Sequence, residues 1–441
     1  MTARELALAV LERAENEDRF IDNVFDLALL RNPLSEKDRR LAQELVYGVT
    51  KLRKHLDFVI DHFLEKGRPT PFLRNVLRLG AYQLLFTTRI PDYAAVNESV
   101  RIAAKDNRRA SGFVNALLRR IAREGSGVRF PDPEENPVDY LSTFYSHPEW
   151  LVRRWIRRYG YYAAQRLCEL DNLPPPRSVR ANTLQISGQE LYRRLQNEGM
   201  GVSHGRYRDY VLEIVEGPAI TESLSFREGL FQVQDESAVL APELLSPEPG
   251  ERIVDMCASP GGKSTHLAEL ARDNALILAV DTSRRRLEPL VENVRRLGVS
   301  SVLPVVSDSR YFSARNTQAV LLDVPCSGSG TLRRRVDLRW RRRESDIRLL
   351  THLQMELLKN GAFLLGVGGR LVYSTCSIEP DENEYVVSRF LKSHPHFNLQ
   401  PIPEVFPRDL VREQCYLQTL PHLHGVDGTF ACLLRKTRES P

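Results

Sequence analysis

The chain has 441 residues, enough for two to four domains rather than one core. Hydrophobic residues make up 42% and charged residues 27%, an ordinary globular balance, and no apolar run approaches the ~18 residues that cross a bilayer. A net charge of +5 is small, so a surface for a polyanion has to come from the distribution of the cations.

The opening segment, MTARELALAVLERAENEDRF, carries acids throughout and lacks the apolar core of a secretory or transit signal. It predicts a cytoplasmic protein. Leu6, Val10, Leu11 and Ala14 form a stripe at helical spacing. Pro71 opens a further helix as a first-turn proline, followed by Phe72, Leu73, Val76 and Leu77. Phe113, Val114, Leu117, Leu118 and Ile121 line one face of another, with Arg119, Arg120 and Arg123 elsewhere. Residues 1–130 are therefore expected to be all-helical. The glycine- and proline-rich stretch 124–140 is the expected linker. Residues 148–162 read as a helix. Over 141–235 short strands alternate with a helix at 188–198, which suggests a small α/β module.

From residue 236 to 441 the rhythm changes. The apolar runs RIVDM, LILAVD, VLPVVSD, AVLLDV and GRLVYSTC alternate with helical segments. That pattern predicts right-handed βαβ units and a parallel sheet, with ligands outside the carboxyl ends of the strands.

The first strand runs into DMCASPGGKST. Its end resembles a P-loop, but GxxxxGK[ST] requires a glycine where Cys257 stands, and Pro260 removes an N–H from a loop that should present N–H groups to phosphate. An adenosyl ligand such as S-adenosylmethionine fits better. Asp281 ends the next strand, where a carboxylate can accept from ribose hydroxyls. Asp308 ends the third and suits an adenine amino group. Asp255 and Asp323 complete a series of acids at strand ends, which helix capping would also explain.

Six cysteines are scattered, with no CxxC pair and no metal spacing, so free thiols and no metal site are expected. Cys168, Cys415 and Cys432 read as structural. Cys326 and Cys376 differ, because they follow the fourth and fifth strands and should face the ligand cleft together. Loop placement there favours the reactive thiolate. A thiol beside a methyl donor suits methylation of pyrimidine carbon 5, where addition at carbon 6 activates an otherwise poor nucleophile. Asp323 could stabilise the adduct near ring N3. The segment Asp323-Val324-Pro325-Cys326 lacks the aromatic of the D-P-P-Y clamp used in exocyclic-amine methylation.

The cations cluster. TLRRRVDLRWRRR, RRASGFVNALLRRIAR and WLVRRWIRRYG are arginine-rich, which suits a nucleic-acid partner, although solvated helix faces would look the same.

FQVQDESAVLAPELL, DMCASPGGKSTHLAEL, LLDVPCSGSGTLRRRVDLRWRRRESDI, GGRLVYSTCSIEPDENE and PHLHGVDGTFACLLRK stand in that order. Together they closely resemble the RsmB (Fmu/Sun) family of 16S rRNA cytosine-C5 methyltransferases, and FVNALLRRIAR resembles its NusB-like RNA-binding domain. The resemblance implies an all-α NusB-like domain, a small α/β RNA-binding module and a C-terminal Rossmann-like class I methyltransferase domain. It implies S-adenosylmethionine as cofactor and small-subunit 16S rRNA as partner, with cytosine 967 as the target. A monomer without metal or membrane is expected.

By that resemblance Cys376 is the nucleophile and Cys326 assists release of product. The cofactor segment is Cys257, Ala258, Ser259, Pro260, Gly261, Gly262 and Lys263, with Asp281, Asp308 and Asp323 as further contacts. Cys257 would act through its backbone, and Lys263 would also lie near the base. The family pattern after the P-C block carries a proline that Arg335-Val336-Asp337 lacks, which is expected to alter an RNA-facing loop. Two other readings remain open at this stage: the same chemistry on tRNA or another rRNA position, and an assembly factor with a vestigial catalytic domain.

Overall fold

The computed structural model describes residues 1–438 except 18 and 66; residues 439–441 of the expected third domain lie outside that range. The chain forms two compact units. One comprises Met1–Pro174 with Leu332–Arg343, the other Pro175–Thr331 with Glu344–Pro441.

The first unit is helical throughout. The helix Ala3–Asn16 starts at a Thr2–Glu5 capping box, and Pro71–Phe86 starts at Thr70 with its proline in the first turn. Leu6, Val10, Leu11, Val76, Leu77, Val114, Leu117, Leu118 and Ile121 meet in one core. Each fully buried side chain of this kind contributes about 1.5–3 kcal/mol. The expected helix at 148–162 is two, Glu149–Tyr159 and Tyr161–Leu170, because Gly160 turns the chain at φ 84°. These helices, and Pro137–Phe144 before them, belong to the first unit and not with the strands that follow.

The arginine-rich segment is partly internal. Val336 is buried in the helical core, and Asp337 Oδ2 accepts the Ile21 N–H at 2.9 Å, capping the helix Ile21–Arg31. The position where the family proline is missing is therefore anchored in the helical unit through Val336 and Asp337, with Arg335 exposed beside them. Arg339 is also internal. Its guanidinium donates to the carbonyls of Ser146 and Asp171 and to Asn172 Oδ1 at 3.2, 2.9 and 2.9 Å. The indole of Trp340 donates to Thr50 O at 2.7 Å.

The second unit holds two sheets. Strands β1 (Ser178–Ala181), β2 (Gly201–His204), β3 (Val211–Glu216) and β4 (Phe231–Val233) pair antiparallel in the order β2-β3-β1-β4, beside the helix Gly188–Asn197. The larger sheet begins with five parallel strands, as the sequence pattern predicts: β5 (Arg252–Met256), β6 (Leu276–Asp281), β7 (Val302–Val306), β8 (Thr317–Asp323) and β9 (Leu365–Thr375). It continues with β10 (Phe397–Leu399), β11 (Val411–Arg412), β12 (Tyr416–Thr419) and β13 (Thr429–Lys436), which add an antiparallel edge.

The order β11-β12-β13-β9-β8-β5-β6-β7 reverses between β5 and β8. That junction is the switch point where open α/β sheets bind ligands. Its two strand ends carry the glycine turn and Asp323.

Candidate active site

The glycine turn is shaped by its backbone. Cys257 leaves β5 at φ 63°, and Gly261 sits at φ 98° before the helix Gly262–Leu270. A Cβ on Gly261 would meet Leu290 atoms at 2.8 and 2.9 Å, so glycine is required for space as well as for φ. At Gly262 a Cβ would meet Gln234 only at ordinary contact distance. The second glycine matters instead as the first residue of the helix, where free N–H groups and the dipole favour an electron-rich ligand.

The acids that end the strands differ in state. Asp255 is buried, accepts from Ser264 Oγ at 2.5 Å and leaves Oδ1 without a partner; burial pushes its carboxyl up to about 7. Asp281 accepts from the Ser259 N–H at 3.1 Å and from Arg286 Nε at 2.6 Å. It thus ties the turn to the second strand end. Asp308 lies beyond the end of β7 and pairs with Arg310 at 2.7 Å, which holds its carboxyl below the usual range. Both rim acids face arginines that would have to yield to a ribose or an adenine. The buried Asp255 oxygen, the left-handed turn and the helix start nevertheless suit an adenosyl group, with no nest for a triphosphate.

Cys257 lies within this turn. Burial pushes its thiol up to about 12, which disfavours the nucleophilic thiolate there.

Asp323 ends β8 opposite Ser374 of β9. It accepts from Lys263 Nζ at 2.7 Å and from Ser374 Oγ at 2.7 Å. Burial works against the Lys263 charge, but Asp323 and then Cys376 offset it, and the ammonium pKa lies above its ordinary value.

Parallel pairing of β8 with β9 brings the following loops together, as the sequence order requires. The sulfurs of Cys326 and Cys376 lie 3.2 Å apart, not joined in a disulfide. They are not equivalent. Cys326 is 8% exposed. Cys376 is partly exposed and lines a cavity with Lys263, Asp323, Ser374 and Thr375, and also Asp235, Asp427 and Thr429. The hydrogen bond with Cys376, reinforced by burial and by Glu382 and Asp323, holds the Cys326 thiol well above its usual range. The expectation that both loop cysteines favour thiolate fails for Cys326.

Several contributors were not legible from the motifs. Arg180 of β1 is fully buried and forks onto Glu269 at 2.6 and 3.2 Å. It also donates to Gly262 O at 2.8 Å and Thr265 Oγ1 at 3.1 Å. The small sheet therefore buttresses the turn that carries Lys263. Gly330 N donates to Cys376 O at 3.1 Å and Gly428 N to Gly330 O at 2.8 Å, so three loops meet behind the thiols. A Cβ at Gly330 would stand 2.0 Å from Gly428 O.

Residues 242–435 match the family described as 16S rRNA methyltransferase RsmB/F, 1–123 match the NusB family, and 147–221 match the RsmF/B-like ferredoxin-like domain. A Bacillus subtilis (strain 168) protein named "Probable ribosomal RNA small subunit methyltransferase B" is 34% identical over 99% of both chains. The chain belongs to the RsmB/F family. A ribosomal RNA small subunit methyltransferase B of Klebsiella pneumoniae subsp. pneumoniae is 36% identical over 99% of this chain and 98% of its own. The crystal structure of PH0851 superposes with a TM-score of 0.82 at 29% identity, covering 99% of each chain. The RsmB/F fold thus comprises the helical NusB domain, the ferredoxin-like sheet and the methyltransferase sheet. Among the described residues no helix is long and apolar enough to span a membrane, and no cluster of His, Cys, Asp or Glu is placed to hold a metal.

Proposed function

We propose that this protein uses S-adenosylmethionine to methylate carbon 5 of a cytosine in small-subunit rRNA, at position 967 of 16S rRNA. The observation that carries the reading is the thiol pair at 3.2 Å, with only Cys376 opening onto the cavity that holds Lys263 and Asp323. Exocyclic-amine methylation would need no such pair.

Cys376 is the nucleophile. Its thiolate forms a bond to carbon 6 of an unstacked cytosine, and the 5,6 π pair moves into the ring toward N3. Asp323, bonded by Lys263 and Ser374, would have to be protonated to stabilise that edge of the ring, giving its proton to N3 as the pair arrives and taking it back when the ring is restored. S-adenosylmethionine, held by Cys257, Ala258, Ser259, Pro260, Gly261, Gly262, Lys263, Asp281, Asp308 and Asp323, supplies an electrophilic methyl for carbon 5. Cys326 then takes the carbon 5 proton. The C5–H pair restores the double bond, the C6–S bond breaks, and Cys376 leaves as thiolate. Cys326 starts as a thiol, held so by its hydrogen bond with Cys376 and by burial, and has to release that proton to water before it can act; the carbon 5 proton then restores the thiol.

The parts 1–130 and 141–235 would hold the RNA. A cavity of about 330 Å³ in the helical unit is lined by Arg19, Arg53, Arg78, Arg341, Arg343 and Trp340, with Glu15 and Asp337 among them. Arginine with an aromatic suits a nucleic-acid backbone and base.

The test is Cys376→Ala. Methyl transfer to rRNA is lost, while affinity for S-adenosylmethionine stays within about twofold, because the nucleophile acts only after binding. Product formed at the wild-type rate would overturn the assignment. Bisulfite sequencing of rRNA and tRNA from cells lacking the protein locates the target; loss of 5-methylcytosine in tRNA alone would refute the rRNA reading.

A further inference from the structure

The two cysteine loops share a carboxylate, Glu382, which stands six residues after Cys376 and was given no role by the sequence. Glu382 is fully buried, and all its acceptor positions are filled. Oε1 accepts the Ser327 N–H at 2.8 Å and Gln354 Nε2 at 3.0 Å. Oε2 accepts the hydroxyls of Ser327 and Ser377, the latter at 2.6 Å. A carboxylate has about four lone-pair sites, and here four donors occupy them. The donors are not scattered: Ser327 follows Cys326 in the chain, and Ser377 follows Cys376. Gln354 extends the set by donating also to Pro325 O at 3.0 Å, on the other side of Cys326.

We propose that Glu382 is the positioning residue of this active site: one buried carboxylate grips the residue after each thiol and so fixes the pair at reacting distance. The inference rests on the catalytic reading given above for the pair's use, but not for its geometry. Parallel pairing of β8 and β9 ends at Asp323 and Ser374, before either cysteine. Beyond that point the ladder no longer sets the separation of the loops. Glu382 bridges the gap where backbone pairing stops, aided by Ser329 Oγ, which meets Ser377 Oγ at 3.2 Å and accepts the Ile378 N–H at 3.1 Å. Without the carboxylate these serines lose their common acceptor, and the loops keep only the bonds from Gly330 N to Cys376 O and from Ile378 N to Ser329 Oγ, with the weaker serine contacts, to hold the thiols together. Displacing reacting groups by about 1 Å costs on the order of a hundredfold in rate.

The test uses Glu382→Ala and Glu382→Gln with two readouts. The first needs neither RNA nor cofactor. Hydrogen peroxide closes Cys326 and Cys376 into a disulfide, two thiol hydrogens leaving with the two peroxide oxygens as two waters. Mass spectrometry follows the loss of two hydrogens from the peptide pair. Wild-type protein should close the pair quickly; Glu382→Ala should close it at least about tenfold more slowly, and Glu382→Gln should fall between, since its amide keeps one acceptor oxygen. The second readout is kinetic: kcat for methyl transfer falls while KM for S-adenosylmethionine holds. Tyr373→Phe is the control for stability. Its hydroxyl donates at 2.6 Å to the main-chain carbonyl of Glu382, so it should lower Tm and leave closure unchanged. Wild-type closure in Glu382→Ala, or equal slowing in Tyr373→Phe, would overturn the proposal. Slow closure in Glu382→Ala with no methyl transfer by the wild type would uphold the clamp and sink the catalytic reading instead.

Discussion

Arg180 gives the sharpest stability experiment, because its contacts are all internal. Replacing it with Met leaves Glu269 buried without its counter-charge and removes a donor from Gly262 O. Removing one member of a buried pair costs about 3–5 kcal/mol. For a unit of this size each kcal/mol moves Tm by about 2–4 °C, so a fall of roughly 6–20 °C is expected. Burial already raises the Glu269 carboxyl, with Arg180 opposing it. Without Arg180 it rises further. A raised folded-state pKa contributes stability that is present below the unfolded value and lost as pH rises. The deficit of the variant should therefore be smallest near about pH 4 and grow toward about pH 8. Arg180→Met with Glu269→Met removes both charges and leaves only neutral groups unpaired, at about 1–3 kcal/mol, so the double variant should be the more stable of the two. Thermal unfolding at several pH values measures both. A double variant less stable than Arg180→Met, or a deficit independent of pH, would refute the reasoning.

Two further outcomes follow from the site. Cys326→Ala should accumulate a covalent protein–RNA adduct, seen as a slow band on a denaturing gel, because the C5 proton then lacks its acceptor; a product yield equal to wild type without the band would count against that role. Asp255→Asn should remove a pH dependence. The carboxyl is held at about 7, above the unfolded value of about 3.8, so wild-type stability declines as pH rises from about 4 to about 7 and then levels. Urea unfolding across that range should show the wild-type stability falling relative to the variant, and parallel curves would be the contrary result.

The parallel strands were legible because each is an apolar run ending in a turn or an acid, and βαβ order fixes the sheet. The thiol pair followed from that order, since neighbouring strands bring their following loops together. The antiparallel edge was not legible. Strand β12 is buried at every position and β13 at most of them, so neither shows the alternation that marks a half-exposed strand. Arg180 and Glu382 were missed for a different reason. Their partners lie far away in sequence or turn on three-dimensional loop packing, and a charged residue in a sequence looks the same whether it is solvated or buried. Arg339 shows the reverse error, a cation taken for an RNA contact that serves the carbonyls of its own unit.

The segment Leu332–Arg343 belongs to the helical unit yet is encoded between the P-C loop and the helix Glu344–Phe363. On a translating ribosome the N-terminal helices emerge first, but Val336, the Asp337 cap and the Arg339 guanidinium reach them only after β8 has been synthesised. The order of synthesis and the order of completion are therefore inverted. The helical unit has to wait, with the Ile21 amide and the carbonyls of Ser146 and Asp171 lacking those partners, until a piece of the catalytic half arrives to finish it.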